Sequence, residues 1–438
     1  MEEPGAMRQV TGIVMLGLGA LLASRGAAAQ EAVSPQGLTL DQAVQLTLSR
    51  NERARISDLQ VVVADAAVEK AFTAFLPLLT TTGSATQHAT AIKPPSNSGQ
   101  AAVTLSQPIL NAPAFPLYAQ AKRLADAQRE QNVDDKRLLA FSAASAFFAV
   151  LNAQDVVQAA TRQRDNAKAN LADTQARAKA QLSSSNDVTK AQVDLAGAQR
   201  EVENDQGSLD NALVQLAFTL NAQVPATLVP PQATLAAAVK TVGGPDQLVK
   251  FAADHRPDVR VAKYQGTAAH DFASEPMLRL LPTLGAQGQA VATTANSPIT
   301  GRHDDETVTA TLTWTIYDAG VRYADKHSRD ALAEIADLNT SLLLRNVDAQ
   351  VRSAVALLGA AQLAFKDASD ASKLAAQNVD ETAILYRQGL ATALELVDAN
   401  DSRFTAEVNY AAAEFAMAQA YLSLRQALGL DALGTELR

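Results

Sequence analysis

The 438-residue chain contains no cysteine. Disulfides and thiolate chemistry are therefore excluded, no cysteine is available for lipidation, and the fold must hold itself by packing alone. A positive surplus is also missing. The formal net charge of -9 gives no reason to expect nucleic acid as a partner. Past the first segment no stretch approaches 18 consecutive apolar residues, which excludes an ordinary helical membrane protein but not a β-barrel, whose strands carry a weaker signal. No nucleophile stands beside a base, and no phosphate loop or H-E-x-x-H occurs. These absences argue against an enzyme, and no cofactor is expected.

What is present begins with an apolar run from Val10 to Ala23, preceded by Arg8 and followed by Ala27-Ala28-Ala29. Short length and small residues at its end mark residues 1–29 as a secretory signal; a single anchor helix is the alternative.

The remainder is written twice. Phe75-Leu76-Pro77-Leu78 returns as Leu280-Leu281-Pro282-Thr283, Ser106 to Leu110 as Thr313 to Tyr317, and Leu40 to Val44 as Pro245 to Val249, at an offset of about 205 to 208 residues. That period is far beyond the 20 to 50 residues of solenoid units. It predicts two tandem repeats, 30–222 and 246–430, joined by a Pro- and Gly-rich connector, 223–245, with a tail at 431–438. Each repeat reads helix, strand, strand, very long helix, helix.

The first helices are expected near 40–74, opened by a capping box of Thr39 with Gln42, and near 246–280, opened by Gly244 and Pro245. The long helices, near 114–180 and 320–386, lack Pro beyond their first turn and would each extend about 100 Å. The last helix steps by 4 and 3 through Leu390, Leu394, Val397, Asp401, Phe404, Val408, Ala411, Phe415, Ala418 and Leu422, a coiled-coil seam. Its counterpart runs through Val188, Ala191, Leu195, Ala198 and Val202.

Alternation takes over at 307–316, where Thr307, Thr309, Thr311, Thr313 and Thr315 alternate with Val308, Ala310, Leu312, Trp314 and Ile316. Val103, Leu105 and Ile109 occupy the matching register, and weaker partner strands are expected near 79–91 and 283–295. About ten residues per strand suits a tilted membrane strand. Four strands cannot close a barrel, since about eight is the practical minimum, so an oligomer is implied; a soluble hairpin packed on helices is the alternative. The polar loops Lys93 to Ser98 and Asn296 to Gly301 would cap the hairpins. His303-Asp304-Asp305-Glu306 reads as a solvated charge run in a turn rather than a metal site, and Trp314, the only tryptophan, as a residue of the membrane interface or of the lipid-facing wall. A soluble periplasmic coiled-coil scaffold or adaptor is the competing reading; it accounts for the heptads but not for two alternating hairpins at equivalent places.

Over essentially the whole chain beyond the signal, the sequence resembles the TolC family of outer-membrane efflux proteins. The resemblance is carried by the duplicated architecture, by Thr315-Ile316-Tyr317-Asp318-Ala319-Gly320, and most specifically by Tyr386-Arg387-Gln388-Gly389-Leu390-Ala391-Thr392-Ala393-Leu394-Glu395-Leu396. It implies a mainly α fold with a membrane β-barrel contribution: a homotrimer whose twelve strands form one barrel, continued by a coiled-coil tunnel across the periplasm. It further implies a passive exit duct of an efflux pump or type I secretion system, docked through a periplasmic adaptor, or membrane fusion protein, to an inner-membrane transporter. In such proteins the two helix reversals are docking and gating points, a role that falls on Gln181, Leu182, Gly389 and Leu390; a plain reversal is the alternative. Polar links latch the closed tip, at positions matched by Asp187 and Tyr386. The basic residue common two places after the Gly is Ala391 here, so one closing salt link lacks its partner unless Arg387 supplies it. Glu395 and Asp398, three apart on one helix face, would form rings of three carboxylates in a threefold pore and select cations; a solvated face is the alternative.

Overall fold

The computed structural model describes residues 37–87, 97–225, 227–294 and 303–434. The signal segment 1–29, most of both polar loops and the last residues of the tail lie outside them.

Helices α1 (Leu40–Arg50) and α2 (Glu52–Phe72) lead to strands β1 (Leu78–Gln87) and β2 (Asn97–Leu110), followed by the long α3 (Ala114–Lys179) and by α4 (Ser185–Leu220). After a short α5 (Gln232–Ala238) the same order returns: α6 (Pro245–His255), α7 (Pro257–Leu278), β3 (Thr283–Thr293), β4 (Asp304–Thr313), α8 (Val321–Arg387) and α9 (Ala393–Ala427). Both long helices run as expected and both hairpins are present.

The opening helices differ from expectation, because each predicted helix is two. Thr39 does form its capping box with Gln42, but α1 stops at Asn51, whose extended backbone lets the side chain cap α2 by accepting from Arg53 N at 2.9 Å. Its Nδ2 donates to Thr219 O at 2.8 Å, pinning the break to the end of α4. In the second copy the break is at Arg256, which Pro257 holds out of the helical region. Two further expectations are corrected. β4 begins at Asp304, not 307, so Asp304 to Glu306 are strand residues paired with β3 rather than a turn. Pairing ends at Thr313, and Trp314 instead donates its indole N–H to Leu280 O at 3.0 Å. Leu390, placed in the coiled-coil seam, lies in the turn before α9.

The four strands form one antiparallel sheet in the order β1-β2-β3-β4. Cross-strand register sorts its faces. One face carries Leu79, Val103, Leu105, Ala286, Ala290, Val308, Ala310 and Leu312, with Thr81 and Gln107 among them and Asp304 and Glu306 at the start of β4. The other carries Thr80, Thr82, Thr104, Ser106, Gln287, Gln289, Thr307, Thr309 and Thr311. Val103, Leu105, Val308 and Leu312 are all exposed. A sheet with an exposed apolar face and a Thr/Gln face has the two-sided pattern that a barrel wall would need, and nothing in the same chain covers its exposed leucines and valines among the described residues. Pro108, which has no N–H to donate, sits where the β2–β3 register shifts.

Near the sheet the helices pack laterally in the order α2, α3, α7, α8; toward the far ends the order is α4, α3, α9, α8. Two apolar cores lie midway along the long helices. One gathers Phe147, Val150, Leu216, Leu220 and Leu422 with Leu38 and Val44; the other gathers Val259, Val347, Val351, Leu358 and Leu424. The connector joins the first core, since Leu38 N donates to Thr227 O at 3.1 Å and Val229 N to Leu38 O at 2.9 Å. One stretch of α3 is apolar and long enough to cross a membrane by composition, but Phe141, Ala144, Phe147 and Val150 within α3 are core residues.

Candidate functional site: the helical tips

Far from the sheet, α3 turns into α4 and α8 into α9, and the two reversals are built alike. In the second, Gly389 adopts a positive φ of 77°, and Leu390 N reaches back to Leu385 O at 2.9 Å. In the first copy Gln181 takes that left-handed place at φ 63° without being glycine, and Leu182 N bonds Arg177 O at 2.8 Å. The turn lost its glycine and kept its geometry, at the roughly 1 kcal/mol that a side chain costs there. Both turns lift a leucine into solvent: Leu182 is 78% exposed and Leu390 73%.

Each following helix then opens with a capping box. Ser184 Oγ accepts from Asp187 N at 3.2 Å while Asp187 Oδ2 accepts from Ser184 N at 2.9 Å and from Ser183 Oγ at 2.9 Å. In the second copy Thr392 Oγ1 accepts from Glu395 N at 3.2 Å, and Glu395 Oε2 accepts from Thr392 N at 2.6 Å. The S/T-x-x-D/E spacing of these boxes is legible in sequence, and within one chain the cap is what Asp187 and Glu395 supply, alongside the gate and pore roles expected of them. Within one chain Asp187 does not meet Tyr386. The N–H bonds from Ser184 and Thr392 hold both carboxyls below the usual carboxylate range. Because the folded values are lowered, this support is present at neutral pH and disappears as pH falls through them. Hydrogen-exchange protection at 184–187 and 392–395, corrected for intrinsic rates, should therefore fall on acidification, and Asp187→Ala with Glu395→Ala should abolish that pH dependence.

Tyr386 instead packs onto α3. It is only 7% exposed, and the Arg177 guanidinium lies 4.1 Å from its ring centroid. Arg177 is held by Asp173 at 3.0 Å. Burial, aided by Asp173, raises the Tyr386 hydroxyl above its ordinary pKa. Sequence reading missed Arg177 and Asp173, which sit about 209 residues from Tyr386 and gave no local signal. Arg387 donates to Ala383 O of its own helix at 3.1 Å. One turn beyond Glu395, Asp398 is exposed, and with Asp401 it lies close enough to Asp194 of α4 to raise that carboxyl's pKa, after burial. Among the described residues no group of three His, Cys, Asp or Glu side chains could hold a metal.

An open apolar-faced sheet on a long helical body ending in two like turns describes a channel wall, and the comparisons agree. The family model for the outer membrane efflux protein matches residues 43–222 and 248–430. Solved structures share the fold: CusC, studied for transmembrane channel formation, with a TM-score of 0.77 at 18% identity over 89% of this chain and 92% of that one; the Campylobacter jejuni outer membrane channel CmeC, 0.75 at 16% over 91% and 86%; and the open state of the Neisseria gonorrhoeae outer membrane channel MtrE, 0.76 at 18% over 91% and 90%. No curated protein sequence matches the chain. With nearly all of both repeats matched, the chain belongs to the outer membrane efflux protein family, as an outer-membrane channel with a helical tunnel in the periplasm.

Proposed function

We propose that three copies close head to tail into a gated exit duct, whose twelve strands form one barrel in the outer membrane. The carrying observation is that the four-stranded sheet leaves both edges, β1 and β4, unpaired while exposing an apolar face. The helices support the same closure. On α2, at one lateral edge, Ile56, Leu59 and Val63 form an exposed stripe; on α8, at the other, Leu332, Ile335, Leu338 and Leu342 form a second. Different stripes on opposite edges suit a heterologous contact that closes a ring.

In this reading the duct uses no energy of its own. A periplasmic adaptor docks at the tip leucines Leu182 and Leu390, beside Gln181 and Gly389, and links the duct to an inner-membrane transporter. Opening draws α8 and α9 outward, which requires Tyr386 to leave its contact with Arg177; Asp187 and Arg387 stand beside that seam. Glu395 and Asp398 form the acidic ring.

The test is native mass and bilayer conductance of the detergent-purified protein. Three chains with small cation-selective steps are expected. Because Glu395 also caps α9, the ring is best probed with Glu395→Gln and Asp398→Asn, which remove charge and keep a cap acceptor. Reversal potential in a salt gradient should move toward zero; an unchanged value rejects the ring, and a chain that needs no detergent and conducts nothing rejects the duct.

A further inference from the structure

Along the tip half of the tunnel a cavity of about 450 Å³ opens between α3, α4 and α9. Its α3 wall presents Gln163 and Asn170, seven residues apart and so on one helix face; its other walls present Asp194 and Gly197 from α4 and Asp401 from α9. The oxygens here are under-used. Asn170 is 8% exposed, and its Oδ1 is buried with no hydrogen-bond partner. Gln163 donates Nε2 to Asp401 Oδ1 at 2.9 Å, which leaves its Oε1 likewise buried and unpartnered. A buried carbonyl without a donor is costly and calls for an occupant.

We propose that this cavity binds a hard divalent cation of the calcium type, held by the Asp194 and Asp401 carboxylates and completed by the Asn170 and Gln163 amide oxygens. Carboxylates and neutral carbonyl oxygens on separate, adjustable elements suit calcium better than zinc, which favours imidazole and thiolate. Two carboxylates alone would be a weak site; the two idle amide oxygens make a four-ligand set, with water filling the remainder. Charge agrees. The lining carries Asp194, Glu201 and Asp401 against Arg200, a balance of -2, and Arg200 is exposed and forms no ion pair among the described residues. Asp401 and Asp398 are like-charged neighbours of Asp194, only partly offset by Lys190, and a cation between the Asp194 and Asp401 carboxylates would relieve that repulsion. The space beside Gly197 is open, with no atom within 4 Å of where a Cβ would stand. A cation so placed ties the α3–α4 hairpin to α9, two elements that the tip needs to separate on opening. The residues are distinct from the Glu395 and Asp398 ring and lie within one chain, so the site does not depend on trimer closure.

The experiment is Mn²⁺ titration of the full detergent-purified protein, followed by the loss of the free-ion electron paramagnetic resonance signal, with Ca²⁺ as competitor. One saturable site per chain displaced by Ca²⁺ is expected. Asp194→Asn and Asp401→Asn should each weaken it at least about tenfold, and Asn170→Asp, which adds a third carboxylate, should tighten it by about tenfold. A misfolded variant cannot bind more tightly, so the gain arm guards against a trivial loss. Glu395→Gln with Asp398→Asn should retain the site. Absence of saturable binding, binding that survives the Asp194→Asn and Asp401→Asn pair, binding not tightened by Asn170→Asp, or binding lost with the ring pair overturns the proposal.

Discussion

Aspartate at both Leu338 and Leu342 is expected to convert the assembled channel into single chains. Both leucines are exposed on α8 in a stripe with Leu332 and Ile335, the face proposed to meet a neighbouring copy. Burying each leucine against α2 of a neighbour contributes about 1.5–3 kcal/mol. In the proposed trimer, replacing the pair forfeits that at each of three interfaces and buries two carboxylates, each costing several kcal/mol to desolvate. The loss is multiplied by symmetry, so the outcome should be all or none: light scattering should report one chain per particle, and bilayer conductance should vanish. A trimer that persists with normal conductance would mean that α8 does not face its neighbour there.

Arg137→Ala should be the most damaging single change within a chain. The guanidinium is buried on α3, where Nη2 and Nε bond Asp134 Oδ1 at 2.6 and 3.0 Å and Nη1 donates to Gln426 O at 2.9 Å at the end of α9. Arg256 converges on the same helix end, donating to Ala427 O at 3.1 Å. Two cations thus satisfy carbonyls that α9 leaves unpaired and favour the negative end of its dipole. Truncation leaves Asp134, 6% exposed, without its counter-charge, which costs about 3–5 kcal/mol. Denaturant unfolding should show that loss, and pairing Arg137→Met with Asp134→Leu should recover much of it, because the uncompensated carboxylate is then gone. A fully destabilised double variant would instead assign the loss to the α9 carbonyls.

Legibility of this chain followed the range of the interaction concerned. The lengths of the two long helices, the period of 2 through Thr307 to Thr313, the capping box at Thr39 and the turn glycine at 389 are all consequences of residues within a few positions of one another, and each is legible. Where local signals competed, reading erred. Asn51 and Pro257 broke helices whose apolar pattern ran through them, and the register of β4 began three residues early because pairing with Ala290 to Ala292, not alternation, decides where a strand starts. Asp187 and Glu395 also find partners only three residues away within the chain, in capping boxes that leave their gate and pore roles in the assembly untouched.

By itself the sequence determined the element order and the two-sided strands, since patterning decides which faces must be covered and by what solvent. Only the tertiary structure decided that Tyr386 stacks on Arg177, that Arg137 reaches α9, and that Asn170, Asp194 and Asp401 line one cavity. Those meetings depend on how α3 is flanked by α4 and α9 along its length. Residues that are distant in sequence share no pattern, and only packing puts them within reach of one another.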